Sequence, residues 1–360
     1  MKSSSKAKAI SLLDKSLMKT FPKVELHRHL EGMFSLKHLF ELSKKNNLDT
    51  PRNYEDFKKE FQFPKDSGPD FLLFLSKFKR FWYRSLDDID FIVYHSVLTL
   101  KEEGLIYLEL RFAPDHFAEF NDFDHREVTK TVINAADRAA KEINLTINYL
   151  LTFNRMFQNS HEMIEDHKKI DKLEISNIVG IDLAGDEINY APELFIPFFD
   201  YIKSLNKYKI DIHAGETVDE SHIWSAIDKL HSNRIGHGIS AINDHKLLEY
   251  IKEKNIYLCQ CITSNFQTGA WTDSKNHPLG ELYKNGYPVC INSDDPSIQD
   301  ADLTDDYLKC VEYFDFKAED FFRLNVNAIN ASFISNENKE KLKIKLESEY
   351  KLFLKRAELN

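Results

Sequence analysis

The stretch FPKVELHRHLEGMF, residues 21–34, determines how the rest of the chain is interpreted. Its first half predicts a short buried strand, and Gly32 and Ser35 mark a turn into the helical pattern LKHLFELSKK. His27 and His29 stand at the end of this strand. Side chains two residues apart in a strand point to the same face, so both imidazoles can reach one metal ion. Because such a pair recurs by chance, further ligands must support a metal site.

From Leu105 onward, short apolar runs alternate with polar turns and helical patterns. The apolar runs predict strands over residues 105–114, 144–154, 177–185, 208–216, 234–239, 255–264 and 287–295. With the first strand these make eight, and eight alternating strand and helix units predict an α/β fold, a (β/α)8 TIM barrel. A doubly wound sheet would need a glycine-rich phosphate-binding turn after its first strand, and the sequence has none there.

Additional helices are predicted between strands 1 and 2 and at the carboxyl terminus. The first region, about 36–104, contains a phenylalanine-rich stretch around 61–74, interpreted either as helices packed on the core or as an apolar lid. The second, about 302–360, is highly charged and predicts a helical cap on the barrel. We expect residues 1–20 to be a flexible extension and residues 21–360 to form a single domain.

Composition and charge limit the possible partners. The chain has 360 residues, 42% of them hydrophobic, which allows a sizeable core, and its formal net charge is −10. Nucleic-acid binders usually carry a basic face, so this charge argues against nucleic acid and favours a small neutral or cationic substrate. Four cysteines without zinc-ribbon spacing, no signal-peptide core and no apolar run of transmembrane length predict a cytoplasmic protein with no membrane partner.

Residues at the predicted strand ends suggest the chemistry, because active sites of such barrels lie at the carboxyl ends of the strands. His27, His29, His213 and Asp294 would together offer three imidazoles and one carboxylate to a divalent ion, most simply one zinc per chain. This is one protein ligand more than catalytic zinc usually has, so a water would make the site five-coordinate. His237 is then free to accept a proton from the water or to orient it.

Two further carboxylates stand near these ligands in the sequence. Glu216 follows His213 by three residues, beyond Gly215, whose missing side chain lets the backbone turn the carboxylate inward. Buried there, Glu216 would stay protonated near neutral pH and donate to a substrate atom. Asp295 precedes Pro296 and, taken alone, could simply cap a helix. Together these residues predict a metal-dependent hydrolase, whereas His277 has no assigned role.

Six motifs carry a family resemblance. They are HRHLEG (27–32), DLAGDE (182–187), HAGE (213–216), RIGHG (234–238), TSNFQTGAW (263–271) and NSDDP (292–296). Together they resemble the adenosine deaminase family of metal-dependent amidohydrolases, in the family's order and over nearly the whole chain. The resemblance implies zinc-dependent hydrolytic deamination of adenosine and 2'-deoxyadenosine to inosine and deoxyinosine with release of ammonia, a reaction of purine salvage and catabolism.

The resemblance also implies catalytic roles. Glu216 would protonate N1 of the purine, while His237 and Asp294 would position the oxygen that attacks C6. Strand four ends in Ala184 and Gly185 rather than in the lysine that bridges two metals in binuclear relatives. One metal ion is therefore expected.

The substrate contacts implied by the resemblance are equally specific. The Gly185 amide would bond N3 of the purine, and Asp295 would contact N7. Because N7 is an acceptor, Asp295 must carry a proton or its bond must strengthen only as the ring changes. His29 also belongs to the substrate-binding set, Glu31 matches an acidic position near the ribose, and the stretch 61–74 occupies the place of a mobile lid.

Several alternatives stay open. A deaminase of adenine or of a modified adenosine would use the same metal and acid, although the stretch Gln267–Trp271 favours adenosine. AMP is disfavoured because no extra basic cluster for a phosphate stands near these loops. A non-catalytic nucleoside-binding protein is a further alternative, against which the presence of every predicted catalytic residue argues. The expected partner is a small-molecule purine nucleoside, and a monomer is favoured.

Overall fold

Eight parallel strands follow one another in chain order in the computed structural model, which describes residues 12–64 and 67–359. The strands are β1 (Lys23–His29), β2 (Leu105–Phe112), β3 (Thr146–Asn154), β4 (Ile178–Ala184), β5 (Lys209–Ala214), β6 (Arg234–His237), β7 (Tyr257–Gln260) and β8 (Val289–Ile291). A parallel bridge between Arg28 and Asp294 links the two ends of the sheet. The sheet is thus a nearly closed barrel, and the predicted (β/α)8 fold is confirmed.

Helices surround the barrel, and further helices form in both regions where additional helices are predicted. They are α1 (Lys15–Lys19), α2 (Leu36–Lys45), α3 (Tyr54–Phe61), α4 (Phe71–Leu75), α5 (Leu86–Leu98), α6 (Pro114–Ala118), α7 (His125–Glu142), α8 (Ser160–Asp171), α9 (Ile196–Ser204), α10 (Ser221–Asp228), α11 (His245–Lys254), α12 (Ile262–Gln267), α13 (Pro278–Lys284), α14 (Pro296–Gln299), α15 (Leu303–Phe314), α16 (Ala318–Ala331) and α17 (Asn336–Leu359). Among the described residues, no helix combines the length and apolar character needed to cross a membrane.

Alternation along the strands separates an apolar outer layer from a polar interior. In β5, Ile210 and Ile212 belong to the main hydrophobic core, while Asp211 contacts the guanidinium groups of Arg111 and Arg234, which come from other strands. Successive side chains of a strand point to opposite faces, so His213 shares the inner face with Asp211. The helices therefore cover the apolar face of β5, and the inner face of this strand carries charged and polar side chains.

The carboxyl-terminal helices close the barrel at the amino-terminal ends of its strands, as the predicted cap requires. The side-chain oxygen of Asn325 in α16 accepts the backbone N–H of Val24 at 2.6 Å. The ring of Phe333 lies so close to Gly180 in β4 that a Cβ there would come within 2.9 Å of it. The cap therefore satisfies backbone groups that the strands alone leave unpaired.

All seven strands predicted from residue 105 onward are shorter than the sequence suggests, and the last two differ most. The strand expected over 255–264 ends at Gln260, because the chain turns at Cys261 into α12, whose Asn265 N–H donates to the Cys261 carbonyl at 2.9 Å. The strand expected over 287–295 ends at Ile291, and Asp294 adopts a left-handed backbone with φ 67°. Beyond Gln260, the apolar residues Cys261 and Ile262 do not by themselves distinguish a strand from a buried helix.

The amino-terminal segment differs from the expected flexible extension where it is described. Residues 15–19 form α1, whose first backbone amides are capped by the Asp14 carboxylate. Leu17 and Met18 are buried in the main core, and Lys15 pairs with Asp305 of α15. This part of the segment is therefore packed, because Leu17 and Met18 contact the hydrophobic core. Residues 1–11 lie outside the described residues.

Replacing Asn325 with alanine should lower the free energy of unfolding by about 1–3 kcal/mol, because the buried Val24 N–H would lose its acceptor. Chemical unfolding followed by circular dichroism measures the change. Asn338→Ala, at an exposed position of α17, is the matched control and should change stability by less than about 0.5 kcal/mol. Equal unfolding midpoints for the two variants would contradict the role of Asn325.

Candidate active site

Four of the predicted ligands meet at the carboxyl end of the barrel. His27 and His29 stand at the end of β1, His213 lies in β5 and Asp294 follows β8. One nitrogen or oxygen atom from each residue lies within 4.8 Å of the others, and all four residues are buried. Closure of the barrel between its first and last strands therefore assembles one cluster from residues far apart in sequence.

The spacing of this cluster fits a first-row metal ion. The Nε2 atoms of His29 and His213 are 3.1 Å apart, and Asp294 Oδ1 lies 3.2 Å from His27 Nε2 and 3.4 Å from His29 Nε2. Tetrahedral ligands about 2.0–2.1 Å from a zinc ion would be about 3.3 Å apart. Burial lowers the pKa of His29 to about 3 and that of His27 well below its usual value, so both rings are neutral and keep a lone pair.

A second donor set overlaps the first but suits a metal less well. It combines His27 and Asp294 with His237 and Cys261. Burial raises the pKa of the Cys261 thiol well above its usual value, with the Asp294 charge adding to the effect. A thiol must lose its proton to bind a metal, so the cluster that contains His29 and His213 is the better site.

Asp182 and Arg111 orient His213 from beneath the cluster. Asp182 Oδ1 lies 2.9 Å from His213 Nδ1 and 3.2 Å from Arg111 Nη1. Arg111 also contacts Asp211 at 2.9 Å. A histidine that donates from one ring nitrogen to a carboxylate presents the lone pair of the other, the arrangement found behind metal-ligating histidines. Sequence reasoning assigned no role to Asp182 or Arg111.

His237 and Glu216 lie beside the metal cluster. His237 Nε2 is 3.6 Å from Glu216 Oε2 and 3.8 Å from Asp294 Oδ2. The turn that carries Glu216 is held by Glu187, whose carboxylate accepts the backbone N–H groups of Gly215 at 2.6 Å and Glu216 at 3.0 Å. Glu187 stands in the DLAGDE motif, but sequence reasoning gave it no function.

Neighbouring carboxyl groups of the site differ in protonation. Burial, followed by the charge of Asp294, raises the pKa of both Glu216 and Asp295 well above the usual range. Although burial opposes it, contact with His27 holds the pKa of Asp294 well below its usual range. Burial raises the pKa of Glu31 to about 8. The site thus combines one carboxyl group of lowered pKa with several of raised pKa.

A cavity of about 330 Å³ opens above the cluster, within the size range of small-molecule sites. His29, Glu31, Gly185, His213, Glu216, His237, Asp294 and Asp295 all line it. Phe71, Leu72 and Phe74 of the phenylalanine-rich stretch also line it, together with Leu75 and Phe78, which follow. Part of the region thus borders the cavity, whereas Phe61 packs in the main core, so both interpretations of the stretch stay open.

Backbone conformation distinguishes two of the site residues. His237 and Asp294 have φ values of 58° and 67°, a left-handed region that side chains other than glycine rarely adopt. Such conformations persist where the surrounding structure fixes them, and they cluster at functional sites. Gln260 contributes here, because its side-chain amide donates to the His237 carbonyl.

Not every polar residue at a strand end joins the site. Asp186, which follows Gly185, accepts the backbone N–H groups of Ile188 and Asn189 at 3.0 Å and does not line the cavity. His277, left without a role, lies behind the site and contacts Asn265, which contacts His237. The sequence showed only that His277 precedes Pro278 and that Asn265 lies in the TSNFQTGAW motif.

The barrel and its buried cluster of histidines and carboxylate define a metal-dependent amidohydrolase. The sequence profile of the family described as "Adenosine deaminase" matches residues 22–349. Adenosine deaminases of Aliivibrio fischeri (strain MJ11) and Yersinia pseudotuberculosis serotype IB are 29% and 30% identical to the chain, over 91% and 90% of it and 98% and 97% of their own lengths. The chain belongs to the adenosine deaminase family, and it is an enzyme that deaminates adenosine-like substrates by hydrolysis.

Solved structures share the fold at lower identity. The adenine deaminase of Arthrobacter aurescens has a TM-score of 0.83 at 23% identity and covers 93% of this chain and 99% of its own. A zinc-bound amidohydrolase from Burkhoderia ambifaria has a TM-score of 0.87 at 17% identity, over 99% and 98%. The N6-methyl-AMP deaminase of Arabidopsis thaliana has a TM-score of 0.79 at 22% identity, over 93% and 98%. At these identities the similarity shows a shared fold alone.

Replacing His213 with alanine should abolish stable metal binding, because the cluster loses a donor whose partner Asp182 already orients it. Cys261→Ala is the matched control, since Cys261 belongs only to the competing donor set. Elemental analysis after exhaustive dialysis gives metal per chain for both variants. Full occupancy in His213→Ala, or loss of metal in Cys261→Ala, would contradict the ligand assignment.

Proposed function

We propose that the chain is a zinc-dependent deaminase of adenosine and 2'-deoxyadenosine, which it converts to inosine and deoxyinosine with release of ammonia. One observation carries the proposal: the protonated carboxyl of Glu216 and the ring of His237 face each other at 3.6 Å beside a metal-binding cluster, inside one cavity. A proton donor, an orienting imidazole and a metal site in this arrangement suit the addition of water to a purine ring.

Zinc is proposed because the donors are neutral imidazoles and one carboxylate, a set that zinc accepts. His27, His29, His213 and Asp294 would hold it. When bound, zinc would act as a Lewis acid that makes water nucleophilic at neutral pH. The zinc bound to the Burkhoderia ambifaria amidohydrolase supports this choice.

Glu216 is the proposed proton donor for the purine. Its raised pKa keeps a proton on the carboxyl group, and the bonds from Gly215 and Glu216 amides to Glu187 fix the turn that aims it into the cavity. Donation to N1 would draw electrons away from C6 as water adds there. The C6–N bond would then break, and the amino group would take one proton of the added water and leave as ammonia. The other proton of the water would restore the Glu216 carboxyl, while N1 keeps the proton it received. A proton donor of this kind is expected to raise the rate by about 10²–10⁴-fold.

The remaining cavity residues are proposed to hold the nucleoside. Asp295 carries a proton by the direction of its pKa, so it can donate to N7, an acceptor. Gly185 has φ 98°, and a side chain there would come within 2.6 Å of Asn154, so the backbone amide can approach the ring at N3. His29 and Glu31 also line the cavity, and Glu31 is proposed to face the ribose.

A nucleoside is favoured over a nucleotide because of the charge on the Glu31 side of the cavity. Arg80 is the one lysine or arginine among the described residues that line the cavity. Its guanidinium is already paired with the carboxylates of Asp115 and Glu119. A phosphate at this end would approach two carboxylates for one cation, so we propose that AMP is rejected although a structural neighbour is an N6-methyl-AMP deaminase.

A nucleoside is also favoured over the free base. The stretch Gln267–Trp271 contacts the lid, because the Gln267 carbonyl accepts the Asp70 N–H at 2.9 Å and Gly269 lies against Pro69. Five apolar side chains from the region beside this contact line the same cavity of about 330 Å³. We propose that this part of the cavity receives the ribose.

Ammonia release from adenosine, 2'-deoxyadenosine, adenine and AMP, measured in parallel with metal content, tests the substrate. We expect release from both nucleosides with about one zinc per chain, and kcat/KM for AMP lower by about 10²-fold or more, since a like-charge contact costs several kcal/mol. Asp115→Asn should narrow the gap by freeing part of Arg80. Release from adenine or AMP alone would move the chain to a neighbouring activity.

Replacing Glu216 with glutamine should leave metal content unchanged and lower kcat by about 10²–10⁴-fold, because glutamine keeps the shape of the side chain and loses the acidic proton. Glu31→Gln is the comparison: it removes a carboxyl proton on the ribose side and should act mainly on KM. Near-normal kcat in Glu216→Gln would remove this residue from the role of proton donor.

A further inference from the structure

A chain of three buried side chains leads from a helix amino terminus to the active-site imidazole. His277 is the residue before α13, and its Nε2 lies 3.0 Å from Asn265 Oδ1. The Asn265 Nδ2 atom lies 3.1 Å from His237 Nδ1. All three side chains are at least 98% buried. Buried polar groups of this kind are retained where every member has a partner, and each bond in the chain constrains the next.

The direction of the chain follows from a backbone amide, which can only donate. The residue after His277 is Pro278, which has no N–H, so the first amide available for capping is that of Leu279. This amide donates to His277 Nδ1 at 3.2 Å. A neutral imidazole that accepts at Nδ1 carries its proton on Nε2. His277 therefore donates from Nε2 to the Asn265 side chain.

Asn265 transmits this direction to the active site. Since His277 donates, the atom of Asn265 that faces it is the carbonyl oxygen, and the amide nitrogen faces His237. An amide nitrogen donates and cannot accept, so His237 Nδ1 is an acceptor without a proton. The neutral ring of His237 then has its proton on Nε2, the atom that faces Glu216 and Asp294.

We propose that His277 and Asn265 are positioning residues that hold the neutral His237 ring in the tautomer protonated at Nε2, so that this ring donates a hydrogen bond into the cavity. In this tautomer Nε2 has no lone pair with which to take a proton from water. Of the two roles open to His237 from the sequence, the geometry selects the orienting one. The catalytic part rests on the proposed deamination; the tautomer itself does not.

Nitrogen-15 NMR of the metal-loaded, full-length protein with labelled histidine measures the tautomer directly. The chain has 14 histidines, and the His237 signals are those lost in His237→Gln. We expect a protonated Nε2 and an unprotonated Nδ1. A protonated Nδ1 in the parent protein would overturn the proposal. This measurement needs no substrate. It therefore tests the tautomer even if no nucleoside releases ammonia and the proposed function is wrong.

Asn265→Asp should reverse the direction of the hydrogen bond to His237, because aspartate has the same shape as asparagine but carries no N–H donor. A carboxylate opposite Nδ1 accepts where the amide donated, so it should draw the His237 proton from Nε2 to Nδ1. We expect the NMR pattern to invert and kcat to fall by about 10²-fold or more, with KM within threefold and metal content unchanged; a wrong tautomer elsewhere costs up to about 10⁴-fold. If Nε2 acted as a base, this variant would keep or gain activity, which would overturn the proposal.

A pair of substitutions at His277 provides the second test, which is independent of a new buried charge. His277→Gln keeps an N–H donor toward Asn265 Oδ1 and should retain the Nε2-protonated pattern and at least a third of kcat. His277→Leu removes the donor, leaves the Asn265 amide free to turn over, and should lower kcat by about tenfold with signals of both tautomers. Equal kcat in the two variants, at equal thermal stability and metal content, would overturn the positioning role.

Discussion

The structure depends on charges buried inside the barrel. Arg111 and Arg234 lie between Asp182, Asp211 and Glu109, and all five side chains are fully buried. Such ions are tolerated only when each is paired with good geometry, so the network admits one arrangement of the strands that carry it. The same network orients His213 through Asp182. The interior that holds the barrel in register is therefore also the support of the metal-binding cluster.

Within this fixed geometry, two neighbouring carboxyl groups of the cavity have pKa values shifted in opposite directions. Asp294 and Asp295 are adjacent in sequence, yet contact with His27 holds the pKa of Asp294 low, while burial and the neighbouring charge raise that of Asp295. Pairs of acids pushed apart in this way identify which group donates and which accepts. Left-handed backbone at Asp294 directs the two side chains differently, since Asp294 joins the metal cluster and Asp295 lies against Gly32.

Local patterns predicted much of this molecule. The spacing of His27 and His29 indicated one face of a strand, and the alternation of apolar runs indicated eight strands, because both signals depend on residues close in sequence. Asp182 and Asn265 were missed for the opposite reason: an acid within a strand or an amide within a short helix acquires its function from residues outside its own element, here Arg111 and His277. Short strands such as β8 were overestimated, since tertiary contacts determine where a strand ends.

The bridge between the first and last strands sets the order of events during synthesis. β1 is the first strand to be synthesised and supplies two of the four clustered donors. Asp294 is synthesised only after all eight strands. The amide of Asp294 bonds to the His27 carbonyl at 3.1 Å, and the amide of His29 to that of Asp294 at 3.0 Å. A nascent chain therefore carries two of the four clustered donors long before Asp294 is made, and the four-donor cluster is complete only after the barrel has closed.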